Sequence, residues 1–185
     1  MFGYGSLMWR PGFAYVERIP ATLHGRRRAF CIFSVHHRGT HDRPGLVLGL
    51  APGGSVRGVV YRVAEEDWAE THAYLIDREQ PTETYVEAWE HVRLADGRRE
   101  KALVFLSDVA HPQWAGVMDI EDQARLIAGA HGLSGPNIAY LRDLVMHLRE
   151  EGARDSGMER LLHRVESMEL ADRERAIGGR RKTPR

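Results

Sequence analysis

Phe2-Gly3-Tyr4-Gly5-Ser6-Leu7 sets two glycines and a serine where a short strand, Met1 to Tyr4, runs out. Gly3 and Gly5 carry no Cβ, so a ligand can approach the backbone closely. Successive N–H groups beside a serine hydroxyl then form a concavity suited to a carboxylate or phosphate. The spacing is not that of a phosphate loop, because no lysine follows Gly5 after a four-residue gap, nor is it the dinucleotide pattern. An ordinary tight turn is the other reading of the same residues.

Outward from this turn, the first half of the chain reads as strands and reversals. Ala21 to Val35 is rich in apolar and aromatic residues and reads as a second strand. Leu46 to Leu50 and Val56 to Val63 flank Pro52-Gly53-Gly54, which predicts a hairpin. A further hairpin is predicted from Tyr85 to Leu94 and Arg99 to Ser107 around Asp96-Gly97. Between them, Glu65 to Glu79 has no Gly or Pro and repeats apolar residues at helical spacing until Pro81 ends it.

The second half is helical. Asp119 is an N-cap candidate for a helix to His131, with Gly132 placed to end it. Asn137 to Glu150 carries the stripe Ile138, Leu141, Val145 and Leu148, and Met158 to Leu170 repeats it through Leu161, Leu162, Val165 and Met168. Both helices are expected to pack on the sheet, giving an α+β chain. Gly178 to Arg185 is basic and lacks apolar periodicity, so the expected organisation is one domain over 1–172 and a disordered basic tail over 173–185.

Composition narrows the function classes. The 185 residues, 43% of them hydrophobic, suffice for one sizeable core. Lys plus Arg equals Asp plus Glu at 26 each, so no overall field draws the chain to nucleic acid or an anionic membrane. No apolar run reaches the roughly 20 residues that span a bilayer, and no signal-type segment opens the chain. A small-molecule partner and a cytoplasmic location are the expectations, with no nucleic acid and no membrane among the partners. The single cysteine, Cys31, excludes an intramolecular disulfide and sits in the apolar run Phe30-Cys31-Ile32-Phe33, as a buried strand residue would.

Two groups of polar residues are candidates for chemistry. On the helix ending at Glu79, positions 68, 72, 75 and 79 stack Trp68, His72, Leu75 and Glu79 on one face. A carboxylate at the end of that stripe is partly desolvated, which raises its pKa toward what a general acid/base needs near neutrality. Its neighbours Asp77 and Arg78 are expected to project elsewhere into solvent. Pairing of Glu79 with Arg78 or Arg38 is the bland alternative, and Glu83, past the proline, is a second carboxylate expected to face solvent. His36, His37, His41 and Asp42 lie within seven residues, but alternation along a strand sends His36 and His37 to opposite faces and no helical His pair occurs. No metal site is therefore assigned. A polar loop, or arginine contacts to an anionic ligand, fits better.

Beyond these readings, the chain resembles the ChaC-like γ-glutamylcyclotransferases from Phe2 to about Leu148. The resemblance is carried by Phe2-Gly3-Tyr4-Gly5-Ser6-Leu7-Met8-Trp9, Arg27-Arg28-Ala29-Phe30, Ser34 with His37-Arg38-Gly39, Pro44-Gly45-Leu46-Val47, Gly58-Val59-Val60-Tyr61-Arg62, Tyr74-Leu75-Ile76-Asp77-Arg78-Glu79, and Ser134-Gly135-Pro136-Asn137 with Tyr140-Leu141. It implies a small closed mixed sheet or barrel with surrounding helices and the ligand at one mouth. It also implies release of 5-oxoproline from a γ-glutamyl compound, glutathione in this family with Cys-Gly as the second product, without a cofactor. By the same resemblance, Tyr4, Gly5, Ser6 and Leu7 hold the γ-glutamyl head, Glu79 is the catalytic glutamate, and Tyr140 lines the site. The link Gln80-Pro81-Thr82-Glu83-Thr84-Tyr85 is longer than the short Gly-containing link usual in the family. Activity on other γ-glutamyl amines, or ligand binding without catalysis, are the alternative functions.

Overall fold

The computed structural model of the chain describes residues 1–79 and 84–180; Glu83 lies outside them. Its spine is a pair of 18-residue strands, β2 (Glu17–Ser34) and β3 (Gly45–Arg62), paired antiparallel from Glu17 opposite Arg62 to Ser34 opposite Gly45. The hairpin predicted at Pro52-Gly53-Gly54 does not form, because β3 runs straight through those residues. Gly25 opposes the pair Gly53-Gly54 in a bulge, and all three have positive φ (82°, 88° and 76°). The glycines absorb an extra residue in the ribbon rather than reversing the chain. Continuous pairing with β2 on either side overrides the local turn signal.

Three further strands complete the sheet in the order β1-β3-β2-β4-β5, with β1 at Phe2–Gly3, β4 at Tyr85–Leu94 and β5 at Arg99–Ser107. The β4–β5 hairpin matches the prediction, and Gly97 supplies the positive φ (93°) of its turn. Every pairing in this sheet is antiparallel, so the mixed sheet expected from the resemblance is corrected. The expected closure is corrected as well: among the described residues no ladder joins β1 to β5, and the sheet is open. β1 contributes only two residues, too few for a second ladder, and β4 pairs β2 only from Ala21 to Leu23 before diverging. Side chains bridge the resulting gap. The Tyr4 hydroxyl donates to the Phe105 carbonyl of β5 at 2.9 Å, and the Ser107 hydroxyl accepts from the Leu50 amide of β3 at 3.1 Å.

The helices are α1 (Trp68–Glu79), α2 (Ile120–Ile127), α3 (Asn137–Glu150) and α4 (Ser156–Arg180). Asp119 caps α2 as predicted, its carboxylate accepting from the Asp122 amide at 2.8 Å. The helix stops earlier than expected, however. Gly129 takes the left-handed conformation (φ 67°), and His131–Gly132 then pairs with Gly135–Pro136 as a two-residue ribbon, β6 and β7. The stripes of α3 and α4 are buried through Ile138, Leu141, Val145, Leu148, Leu161 and Val165, and they share one core with Phe2, Phe30, Leu50 and Val104 of the sheet. Fully burying each such side chain stabilises the fold by about 1.5 to 3 kcal/mol.

α4 continues past Leu170 to Arg180, into the stretch expected to be a tail, and residues 181–185 lie outside those described. Ion pairs one turn apart, Arg173 with Glu169 and Arg175 with Asp172, line the extension and favour helix without an apolar face. No helix among the described residues is long and apolar enough to cross a membrane.

At the junction of sheet and helices, Gly58 lies against β1. A Cβ on Gly58 would come within 2.3 Å of the Gly3 carbonyl oxygen, so glycine is what lets the strand leading to the Tyr4–Leu7 turn dock.

Candidate active site

The turn after β1 winds into a single 3-10 turn, Ser6–Met8, with Gly5 as its N-cap. Among the described residues no acceptor meets the N–H groups of Gly5, Ser6 or Leu7, so a row of donors is available at the start of this turn. The turn is held from below. Arg28 of β2, almost wholly buried, donates from Nε to the Tyr4 carbonyl at 2.7 Å and reaches Asp155 at 3.4 Å.

Facing the turn is the end of α1. Leu75 is completely buried, while Trp68 and His72 are only partly covered: Trp68 stacks on His72, and His72 meets Glu87 at 2.8 Å. One turn beyond Leu75, Glu79 leaves 22% of its side chain exposed. Burial raises its proton affinity above the usual glutamate range, with the Arg78 guanidinium, 3.2 Å away, opposing the rise. Asp96, Glu121 and Glu159 go the other way, each held down by an arginine hydrogen bond.

Glu79, Tyr4, Gly5, Ser6, Leu7 and Tyr140 come together around one cavity of about 60 Å³. The residues that the resemblance assigned to the site thus meet at one place, although Tyr4, Glu79 and Tyr140 come from three separate elements. Sequence reasoning missed Tyr85, Leu48 and Phe105, which also line it. Tyr85 opens β4 and donates its hydroxyl proton to the Leu48 carbonyl at 2.7 Å. Its only sequence signal was its place as the first residue after the 80–84 link.

Three phenols therefore ring one carboxylate. Burial raises all three, Tyr4 and Tyr85 well above the ordinary tyrosine range and Tyr140 to about 12, and the Glu79 charge adds to each rise. They stay un-ionised at neutral pH. Because the Tyr4 and Tyr85 protons are committed to the Phe105 and Leu48 carbonyls, their oxygens have only lone pairs to offer a ligand. One side of the cavity thus accepts hydrogen bonds, from a carboxylate and two phenol oxygens, and the other, the turn, donates them.

Arg78 does not project into solvent: it pairs with Glu79, the contact that was the alternative reading of that carboxylate, and it also donates to Ser6 Oγ at 2.9 Å. Among the described residues no cluster of metal-ligand type occurs. His37 meets Ser134 Oγ at 3.1 Å, and Arg38 donates to the Ser134 carbonyl at 2.6 Å while lying over the Tyr140 ring. Cys31 is buried on β2 beside Ser107, and burial pushes its thiol up to about 12, which leaves it a poor nucleophile.

Fold and site together define a small α+β protein with a desolvated carboxylate set opposite a donor-lined turn, an arrangement for acid–base chemistry on a small molecule. The family model described as ChaC-like protein matches residues 1–168, and the chain belongs to that family. It is 39% identical over 168 residues to the glutathione-specific γ-glutamylcyclotransferase of Escherichia coli, covering 91% of this chain and 73% of the relative. It is 32% identical over 174 residues to glutathione-specific γ-glutamylcyclotransferase 1 of Homo sapiens, covering 91% and 78%. The crystal structure of a γ-glutamyl cyclotransferase specific to glutathione from yeast superposes with a TM-score of 0.78 at 26% identity, covering 90% of this chain and 94% of the other.

Proposed function

We propose that the protein cleaves glutathione to 5-oxoproline and Cys-Gly. The observation that carries this reading is the division of the cavity into an acceptor side and a donor side, which matches the ammonium and carboxylate of an α-amino acid head. In the proposed reaction, the N–H groups of Gly5, Ser6 and Leu7 hold the α-carboxylate. The ammonium lies against Glu79 and the phenol oxygens of Tyr4 and Tyr85, and Tyr140 closes the wall. Glu79, as carboxylate, takes a proton from the ammonium. The freed amine attacks the substrate's own γ-carbonyl, forming one C–N bond to close the five-membered ring. The other C–N bond, to the cysteine nitrogen, then breaks as Glu79 returns that proton to the leaving amine, and the freed carboxylate relays the second proton from the ring nitrogen to the same amine, so that 5-oxoproline leaves as a neutral lactam and Cys-Gly as its ammonium.

Nucleophile and electrophile arrive tethered, so the protein supplies position and proton transfer rather than a nucleophile of its own. The atoms balance without water, an oxidant or a metal, in keeping with a cofactor-free reaction. The proposal includes residues 1–172 acting as one unit in the cytoplasm, with a small molecule as partner. Simple ligand binding is the weaker reading, because the relatives at 39% and 32% identity are named as glutathione-specific γ-glutamylcyclotransferases.

The named residues read only the γ-glutamyl half, so a substrate panel tests the rest. Reduced glutathione is expected to yield 5-oxoproline and γ-glutamyl-alanine to yield little. Equal yields would make the protein a general γ-glutamyl cyclotransferase, and no product from either would leave it a binder. The pH profile carries a signature of Glu79. Since the ionised form is the base, and burial raises its pKa, activity is expected to fall as pH drops through a value above the usual glutamate range. An acid limb within that range, measured as kcat/KM against pH, would exclude the buried carboxylate as base.

A further inference from the structure

Arg78 follows Asp77 in the last turn of α1, where a cation complements the carbonyl end of the helix. Its guanidinium is mostly covered, with 21% of the side chain exposed. Nη2 donates to Ser6 Oγ at 2.9 Å. Nη1 donates to the Tyr74 hydroxyl at 2.8 Å, to the Pro11 carbonyl at 3.1 Å and to the Arg10 carbonyl. Nε lies 3.2 Å from Glu79 Oε1. One planar group thus touches the helix that carries the base, the turn that offers the donors, and the chain that follows that turn.

We propose that Arg78 is the positioning residue of this site: it fixes the Ser6 turn against Glu79, orients the Ser6 hydroxyl as a donor to the substrate's α-carboxylate, and sets a positive charge 3.2 Å from the Glu79 carboxylate. This rests on reading Glu79 as the base.

Three physical points support it. Ser6 and Glu79 are 73 positions apart in the chain, so the spacing between donors and base depends on tertiary contacts, and Arg78 makes one to each. A hydroxyl that accepts from a guanidinium turns its own proton outward, which makes Ser6 a donor where the turn's N–H groups already point. The charges also close: a γ-glutamyl head brings one ammonium and one carboxylate, Glu79 adds a negative charge, and Arg78 balances it. The other titratable groups lining the cavity are Met1, whose amino group is lowered by burial to about 6 and donates to the Tyr61 carbonyl, and the un-ionised phenols of Tyr4 from the N-terminal segment, Tyr85 of β4 and Tyr140 of α3. Arg78 is therefore the charged neighbour that sets the carboxylate against burial.

The shape of the group matters as well as its charge. A lysine ammonium is a single point with three donors and cannot serve Ser6, the Arg10–Pro11 carbonyls and Glu79 in one plane. Charge and fork can therefore be separated by substitution. Arg78→Gln is expected to lower kcat/KM for glutathione by on the order of 10² and to move the acid limb to higher pH. Arg78→Lys is expected to leave that limb near the wild-type position while raising KM, and Ser6→Ala to raise KM without moving the limb. An Arg78→Gln limb at the wild-type pH would overturn the proposal, since loss of packing alone does not change which pH ionises the base.

A readout independent of turnover keeps the two readings apart. Carbon NMR titration of the glutamate carboxyls, with Glu79→Gln assigning the signal, is expected to show Glu79 titrating at higher pH in Arg78→Gln than in wild type. If wild type releases no 5-oxoproline, the functional reading falls and this titration still decides the Arg78–Glu79 tie. Identical Glu79 titrations in the two proteins would refute it.

Discussion

Glu79→Gln is expected to lower the turnover of glutathione by roughly 10² to 10⁴-fold, the range that positioned acid–base catalysis supplies. The substitution keeps the size and shape of the side chain and removes its ability to take a proton. The turn donors and the three phenols are untouched, so calorimetry should still detect glutathione binding. Stability gives a second sign to check. Glu79 has its proton affinity raised in the folded state, so at neutral pH its ionised form opposes folding. Replacing it with a neutral amide removes that opposition, and the Tm of Glu79→Gln should equal or exceed that of wild type. A large fall in turnover together with a large fall in Tm would mean that the residue supports structure. Unchanged turnover would take Glu79 out of the chemistry.

Asn137→Ala is expected to have the largest effect on stability among single changes near the site. Asn137 is completely buried at the start of α3, where its Nδ2 donates to the Leu46 carbonyl and its Oδ1 accepts from the Leu46 amide, both at 2.7 Å. One side chain thus completes the hydrogen bonding of a fully buried strand residue. Alanine would leave a buried donor and a buried acceptor on Leu46 unmet, at about 1 to 3 kcal/mol each. The site would feel it too, because α3 carries Tyr140 and β3 carries Leu48, both on the cavity wall. Denaturant unfolding should show a loss of roughly 2 to 5 kcal/mol. A loss under about 1 kcal/mol would mean that solvent reaches Leu46 in the variant.

What could be read in the sequence was whatever local chemistry decides. Asp96-Gly97 makes a tight turn wherever two strands flank it, so β4 and β5 were legible to their ends. The stripe of α3 needs only an apolar surface to pack on. Glu79 was legible because Leu75 fixes the buried face of α1 and four residues further on is the same face. Pro52-Gly53-Gly54 misled for the converse reason. Its turn chemistry is real, but long-range pairing with β2 turned the glycines into a bulge, and nothing within the segment reports that partner.

Arg78 was misread as solvent-facing although, three residues past Leu75, helical spacing sets it at the edge of the buried face, and only the fold reveals that Ser6, Arg10 and Pro11 wait there. Tyr85 escaped because its role depends on Leu48, a strand partner outside any local pattern. Sheet closure was expected from resemblance alone, and the two-residue β1 does not provide it. The extension of α4 was hidden by its composition, which lacks the apolar stripe that marks the other helices.

Intramolecular attack leaves an isotopic trace that hydrolysis does not. In water enriched in oxygen-18, the purified protein acting on reduced glutathione should release 5-oxoproline and Cys-Gly in equal amounts, with no label in either, because the γ-carbonyl oxygen is kept and the nucleophile is the substrate's own nitrogen. Glutamate carrying oxygen-18 in its γ-carboxylate would show that water is the nucleophile, and would contradict the assignment of Glu79 and the turn to a cyclisation.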